Sequence, residues 1–460
     1  MRGPTGSAPR SGILSSGLQK ARLPLPVLLY LVTVILPIGF HLGPLLITTL
    51  RLLLLVMIIP LLVQIFSGRH GRILPTDILF PLFVLWSVVA LALNSPDQVI
   101  TQTGSAGVEF LGGYALGRCY FRTSAAYLTL CRALVVAGLV FLPFALLETI
   151  TGDPIIVRLL RAVPGILTVD IISYERRLGL ERVQATFAHP IHFGLFCSVI
   201  FSQAFVAMRG VVSNGRRYGT SALIAFEGFL SLSSGALLSI LLQFGLILWN
   251  WIFGTRRSKW LYLIGLFAFA YLVVLIFSNR PPIRVFMSYA TFSAQTAYYR
   301  SMIFDFGMDN VWANPFFGIG MKDWIRPDYM HAASVDNFWL LTTMRFGIPG
   351  LVILVAGYVW PLPRIMARKF PAGSILGQIR TAWVFTFLGL SFTLATVHIW
   401  SSIYSFVFFM FGAGMWLCDV AADAPDAPPP AEASPAKPGP RYSRFAPRSV
   451  QRLVRPSEKQ

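Results

Sequence analysis

Apolar runs close to twenty residues long recur from about Leu25 to Val420, and they decide what this chain can fold into. A bilayer core takes roughly 20 apolar residues per helical crossing, and it offers no partner to an open backbone N–H or C=O. The runs therefore predict transmembrane helices, about twelve of them, starting near residues 25, 43, 78, 104, 126, 187, 219, 234, 260, 336, 380 and 401. Only 12% of the residues are charged, against roughly 25% in a soluble domain. The expected fold is all-α, a polytopic membrane helix bundle.

The formal net charge of +19 does not point to nucleic acid, because the basic residues gather in short connections between apolar runs. With a cytoplasmic N-terminus, the connections on the cytoplasmic side hold Arg69 and Arg72, Arg118 and Arg122, Arg209, Arg216 and Arg217, Arg256, Arg257 and Lys259, and Arg364, Arg368 and Lys369. The short connections on the other side, around 41–43, 95–103, 232–235 and 398–401, hold no Lys or Arg. That asymmetry is the positive-inside pattern, and it places both termini in the cytoplasm. The pair of runs between 219 and 253 is joined by almost no loop, which leaves a re-entrant element open there.

The chain divides into a basic N-terminus (1–22), a membrane domain (23–421) and a tail (422–460). The first apolar run continues to about Phe40 without a small-residue cleavage site, so it reads as a retained span. The tail opens with "DAPDAPPPAEASPAKPGP", which cannot bury a core and reads as disordered. Its arginines, Arg441, Arg444, Arg448, Arg452 and Arg455, suit a cytoplasmic tail drawn to anionic lipid. Two long connections, about 151–186 and 279–335, fall on the outer side, and loops of that length in a compact protein are usually functional. In the second, Tyr299, Ile303 and Phe306 follow helical spacing and predict an amphipathic helix lying on the outer surface. "NPFFGIG" (Asn314 to Gly320) then supplies Pro and Gly turn signals.

No Gly-rich Lys-Ser/Thr phosphate loop, HExxH or CxxC spacing occurs. Neither a metal nor a cofactor is expected, and Cys119, Cys131, Cys197 and Cys418 read as small hydrophobes. His189 and His192 in "HPIH" share a helix face at i, i+3, as a helix-start turn with polar side chains or as substrate contacts; a metal reading lacks a third ligand. Three outward stretches carry arginine, the side chain best shaped for a pair of phosphate oxygens. They are "RVQATFAHPIHFG" with Arg182, "YRSMIFDFGMDNVWANPFFGIG" with Arg300, and "VDNFWLLTTMRFGIPG" with Asp336, Asn337 and Arg345. An arginine as deep as Arg345, about 13 Å into its span at helical rise, must face a polar cavity or a partner. Asp336 directly before the apolar run also fits a helix N-cap.

In this order the three stretches resemble the O-antigen ligase and polysaccharide polymerase superfamily over roughly residues 180–360. Those are multi-span bacterial inner-membrane enzymes that transfer sugar chains from a polyprenyl diphosphate carrier at the periplasmic face. The resemblance implies that Arg300 and Arg182 hold the diphosphate, that Asp336 or His331 takes the acceptor proton, and that Asn337 orients sugar or base. Arg345 supports the site or the bundle, with His189 and His192 as substrate-binding candidates. Two departures stand out: Ser233-Ser234-Gly235 where ligases show Ser-Arg-Gly, and Asp336 where ligases place histidine beside the Asn. Both favour a polymerase extending O-antigen or exopolysaccharide between lipid carriers over a ligase moving the glycan to a lipid or protein acceptor. A flippase for the same lipid-linked sugar fits twelve spans equally, but matching halves are not evident. The implied partners are the lipid-linked glycan, the bilayer and, as a further candidate, a chain-length regulator.

Overall fold

Helices form where the apolar runs are unbroken, and proline, glycine and capping residues set their ends. The computed structural model describes residues 22–42, 45–254, 256, 258–279, 282, 285, 294–371 and 373–421. The expectations for residues 1–21, most of 280–293 and the tail from 422 lie outside the described residues. The chain is mostly helical, and among the described residues nine helices are long and apolar enough to cross a membrane. In chain order the helices are α1 (Leu25–Ile35), α2 (Thr49–Phe66), α3 (Pro75–Asn94), α4 (Val108–Tyr120), α5 (Ser124–Thr151), the short α6 (Ile155–Arg161), α7 (Pro190–Ser202) and α8 (Asn214–Leu230). There follow α9 (Ser234–Phe253), α10 (Lys259–Phe277), α11 (Ala294–Ala313), α12 (Phe338–Val359), α13 (Pro361–Ala367), α14 (Ile375–Thr393) and α15 (Ser401–Ala413).

Whereas α7 and α15 continue helically to Ala207 and Cys418, three of the expected spans are too short to be among these nine: α1 with 11 residues, α4 with 13 and α8 with 17. The first stops early because Pro37 disfavours helical backbone at Leu36, which is extended (φ −111°, ψ 92°). The chain then turns back through a two-stranded hairpin, β1 (Gly39–Leu42) against β2 (Leu45–Thr48). Gly39 exchanges backbone hydrogen bonds with Leu167, tying the first long connection to this hairpin. The second helix starts at Thr49, later than the apolar run alone suggests, where the Thr48 hydroxyl caps it by accepting from the Arg51 N–H.

Small residues let the central helices close. A Cβ on Gly113 or Gly117 of α4 would lie 2.5 Å or 2.1 Å from the carbonyl oxygens of Ser405 and Phe409, and one on Gly412 would lie 2.2 Å from that of Tyr114. Only glycine permits that approach of α4 and α15, the small-residue packing expected where lipid supplies no hydrophobic drive. Aromatic rings fill the space around it, with Phe110 and Phe408 edge to face at 4.4 Å. Arg118, 2% exposed, is not a loop charge as the sequence suggests. It pairs with buried Asp77 at 3.2 Å and donates to the carbonyls of His70 and Arg72, so its charge is compensated inside the protein.

Candidate functional site: an arginine-lined cavity beside a broken helix

At Gly347 the helix α12 breaks (φ 72°, ψ 178°), a backbone state open to glycine and strained for any other residue. The break frees carbonyls that lipid cannot satisfy. The "NPFFGIG" turn supplies the donors: Ile319 N–H bonds the Met344 carbonyl at 2.7 Å and Gly320 N–H the Arg345 carbonyl at 3.1 Å. The Trp86 indole donates to the Phe346 carbonyl at 2.8 Å, and Ile348 N–H donates to Pro315. The carbonyls of residues 344–346 around the break are thus paired with protein. Arg345 stands two residues before the break.

The same helix begins at a second fixed junction. Asn337, not Asp336, is its N-cap, accepting from the Leu340 N–H at 3.0 Å. Phe338 N–H bonds the carbonyls of Leu394 and Val397, which docks the α14–α15 connection against this end of α12. Asp336 is thereby left to line a cavity of about 400 Å³.

Among the described residues four arginines, Arg177, Arg182, Arg300 and Arg345, line that cavity against a single carboxylate, Asp336. Arg300 comes from α11, which packs on α12 through Met302, Ile303 and Val311 in a small core with Leu340 and Met344. The helix predicted from Tyr299, Ile303 and Phe306 is therefore seated on protein through that face. Arg182 is held by irregular backbone at the end of α5. The Glu148 carboxylate there accepts from the N–H groups of Gln184 and Ala185, and Thr149 and Val183 add bonds on either side.

Two of these arginines, Arg300 and Arg182, carry shielded N–H groups without partners among the described residues. Arg300 is 7% exposed, and its Nε and Nη1 have no hydrogen-bond partner among the described residues; nor has Arg182 Nε. Burial, then the neighbouring Arg177, pushes Arg182 down to about 10, so it stays charged at neutral pH. Burial raises Asp336, while Arg300 and Arg182 pull it back. Burial and the nearby arginines hold His189 at about 4, leaving it neutral. Unpaired N–H donors and excess positive charge in a shielded cavity suit an anion with several oxygens.

Of the residues singled out from the sequence, Arg182, His189, Arg300, Asp336 and Arg345 meet on this wall. His189 also caps α7, its Nδ1 accepting from Ile191 N–H. His192 is buried behind it against Trp400 at 4.0 Å, outside the lining. His331 is exposed and does not line the cavity. Asn337 serves as cap. Sequence reading missed Arg177, which lies in the same connection as Arg182, and His398 and Trp400, which come from the distant α14–α15 connection. Arg177 Nη1 donates to the Leu232 carbonyl at 2.8 Å, which sets its guanidinium beside Ser233 and Ser234, also on the lining.

Residues 219–355 match the family model described as O-antigen ligase, and no curated protein matches the chain. The matched stretch holds Ser233, Arg300, Asp336, Arg345 and the broken helix; Arg177, Arg182 and His398 complete the cavity from outside it. Over residues 219–355 the chain is thus similar to the O-antigen ligase family, in a stretch that carries part of the cavity wall.

Proposed function

We propose that the protein is a polymerase of O-antigen or exopolysaccharide, moving glycan chains between polyprenyl-diphosphate carriers at the periplasmic face of the inner membrane. The observation that carries this reading is the cavity with four arginines and one carboxylate. A diphosphate-linked sugar brings its own leaving group, so the work left to the protein is to hold the diphosphate and stabilise the charge that builds on it. Arg300 and Arg182, with N–H groups unpaired, do both, the electrostatic contribution that often dominates such steps. Arg345 closes the wall at the helix break. Asp336 balances the arginines before the donor arrives and keeps them oriented. His189, Asn337 and, behind them, His192 shape the mouth of the site.

The Ser233-Ser234 pair gives the polymerase reading its particular form here. Arg177 reaches the backbone beside it and supplies the cation that arginine would supply at position 234. Arg177→Ala is expected to cut transfer by about 10²-fold, in the range for losing one charge-stabilising donor. Adding Ser234→Arg to that variant should restore part of the rate, measured as lipid-linked glycan consumed per minute in detergent. Full activity in Arg177→Ala would refute this role.

The second reading is a ligase, favoured by the description of the family matched. The two separate by product. Purified protein in detergent, given lipid-linked glycan alone, yields longer lipid-linked glycan if it is a polymerase. A ligase would instead need a lipid-core or protein acceptor and would leave chain length unchanged. A flippase would leave the glycan chemically unaltered.

A further inference from the structure

His331, one of the two groups with which the sequence could meet the need for a proton acceptor, is exposed and away from the cavity, and the other, Asp336, faces the charges of Arg300 and Arg182. A third group is on the wall. His398 belongs to the connection between α14 and α15, and its ring lines the cavity. Phe338 stacks on it at 6.2 Å and 18°, and Trp400 at 5.7 Å and 20°, so aromatic faces fix the plane of the imidazole. Its Nδ1 is shielded from solvent and has no hydrogen-bond partner among the described residues.

The connection that carries it is held on two sides. Phe338 N–H bonds the carbonyls of Leu394 and Val397, and Gly235 at the start of α9 packs so closely that a Cβ there would lie 2.3 Å from the Val397 side chain. A ring on a fixed backbone, stacked, half-buried and unpaired, is unusual for a packing residue. Polar groups shielded in this way normally find partners.

We infer that His398 takes the proton of the acceptor hydroxyl in the transfer proposed above, with Asp336 serving to orient the arginines. The hydroxyl oxygen forms its new bond to the anomeric carbon of the donor sugar. The bond from that carbon to the diphosphate oxygen breaks, and its electron pair leaves on the diphosphate. The hydroxyl proton passes to the His398 ring and from there to water.

Burial, then the Arg345 guanidinium, holds His398 down to about 3, so the ring is neutral at pH 7 and a weak base in the empty site. An anionic diphosphate on the arginines offsets their charge and strengthens the base only once the donor is in place.

The inference rests on the glycan-transfer reading, and the test keeps the two apart. In the full-length protein in detergent, His398→Gln preserves size and hydrogen bonding but cannot take a proton. Its transfer rate should fall at least about 10²-fold, while binding of extracted polyprenyl-diphosphate-linked glycan stays as in the wild type. In His398→Gly, added imidazole should restore part of the rate. An undiminished rate in His398→Gln overturns the inference, and so does a rate that falls only in step with donor binding. Wild-type protein that transfers no glycan overturns the underlying reading before any variant is made.

Discussion

Arg300→Ala is expected to cut the proposed long-chain polymer sharply while the protein still accumulates in the membrane. The guanidinium is 7% exposed, with two N–H-bearing nitrogens lacking partners among the described residues. Its removal therefore breaks no hydrogen bond seen at those atoms and relieves a desolvated charge. Stability should hold. What is lost is the donor aimed at the diphosphate, and losing one such group costs about 2.7–4 kcal/mol of transition-state stabilisation, or 10²–10³-fold in rate. Arg300→Lys should recover little, because a point charge on a flexible stem cannot reproduce a planar fork that bridges two phosphate oxygens. Chain-length analysis of polymer from cells carrying each variant checks this. Normal chain length in Arg300→Ala would remove the cavity from the mechanism.

Gly347→Ala has the largest expected effect on the fold. Alanine is strained at φ 72°, ψ 178°, and its Cβ would stand 2.0 Å from the Phe316 carbonyl oxygen. The clash can be relieved only by lifting the "NPFFGIG" turn off the helix. That movement would strip the Met344 and Arg345 carbonyls of their donors. Strain and lost pairing together should cost at least about 3 kcal/mol, read as a lowered unfolding midpoint in detergent. Activity should fall with it, since Arg345 rides on the displaced segment. Trp86→Phe makes a milder comparison, because it removes one donor to the same break and introduces no clash.

The apolar runs and the rhythm of arginines between them made the membrane bundle legible, because both follow from local composition. So did Arg182, Arg300, Asp336 and Arg345, which sit in stretches whose turn signals and polar residues interrupt apolar sequence. The short ends of α1 and the hairpin after it were signalled by Pro37 and Gly39, yet an apolar count passes over them. The break at Gly347 depends on residues 315–320 arriving with the right N–H groups, a long-range pairing that spacing within α12 cannot reveal. The same reason hid His398, whose connection joins the site only by docking on Phe338, while Arg177 stands beside Arg176 in Arg182's own connection and is told apart only by its bond to Leu232. The cap on α12 shows how narrow such choices are: Asp336 and Asn337 are equally good caps in isolation, and docking of Phe338 on Leu394 and Val397 gives the role to Asn337.

The most direct test of the arginine-lined cavity as a site of chain transfer uses purified wild-type protein in detergent with isotopically labelled polyprenyl-diphosphate-linked glycan as the sole substrate. Chain length is then read by mass spectrometry. The account predicts longer glycans still attached to the lipid diphosphate, with one free polyprenyl diphosphate released for each transfer. Labelled glycan that keeps its original length, with no polyprenyl diphosphate released, would contradict it.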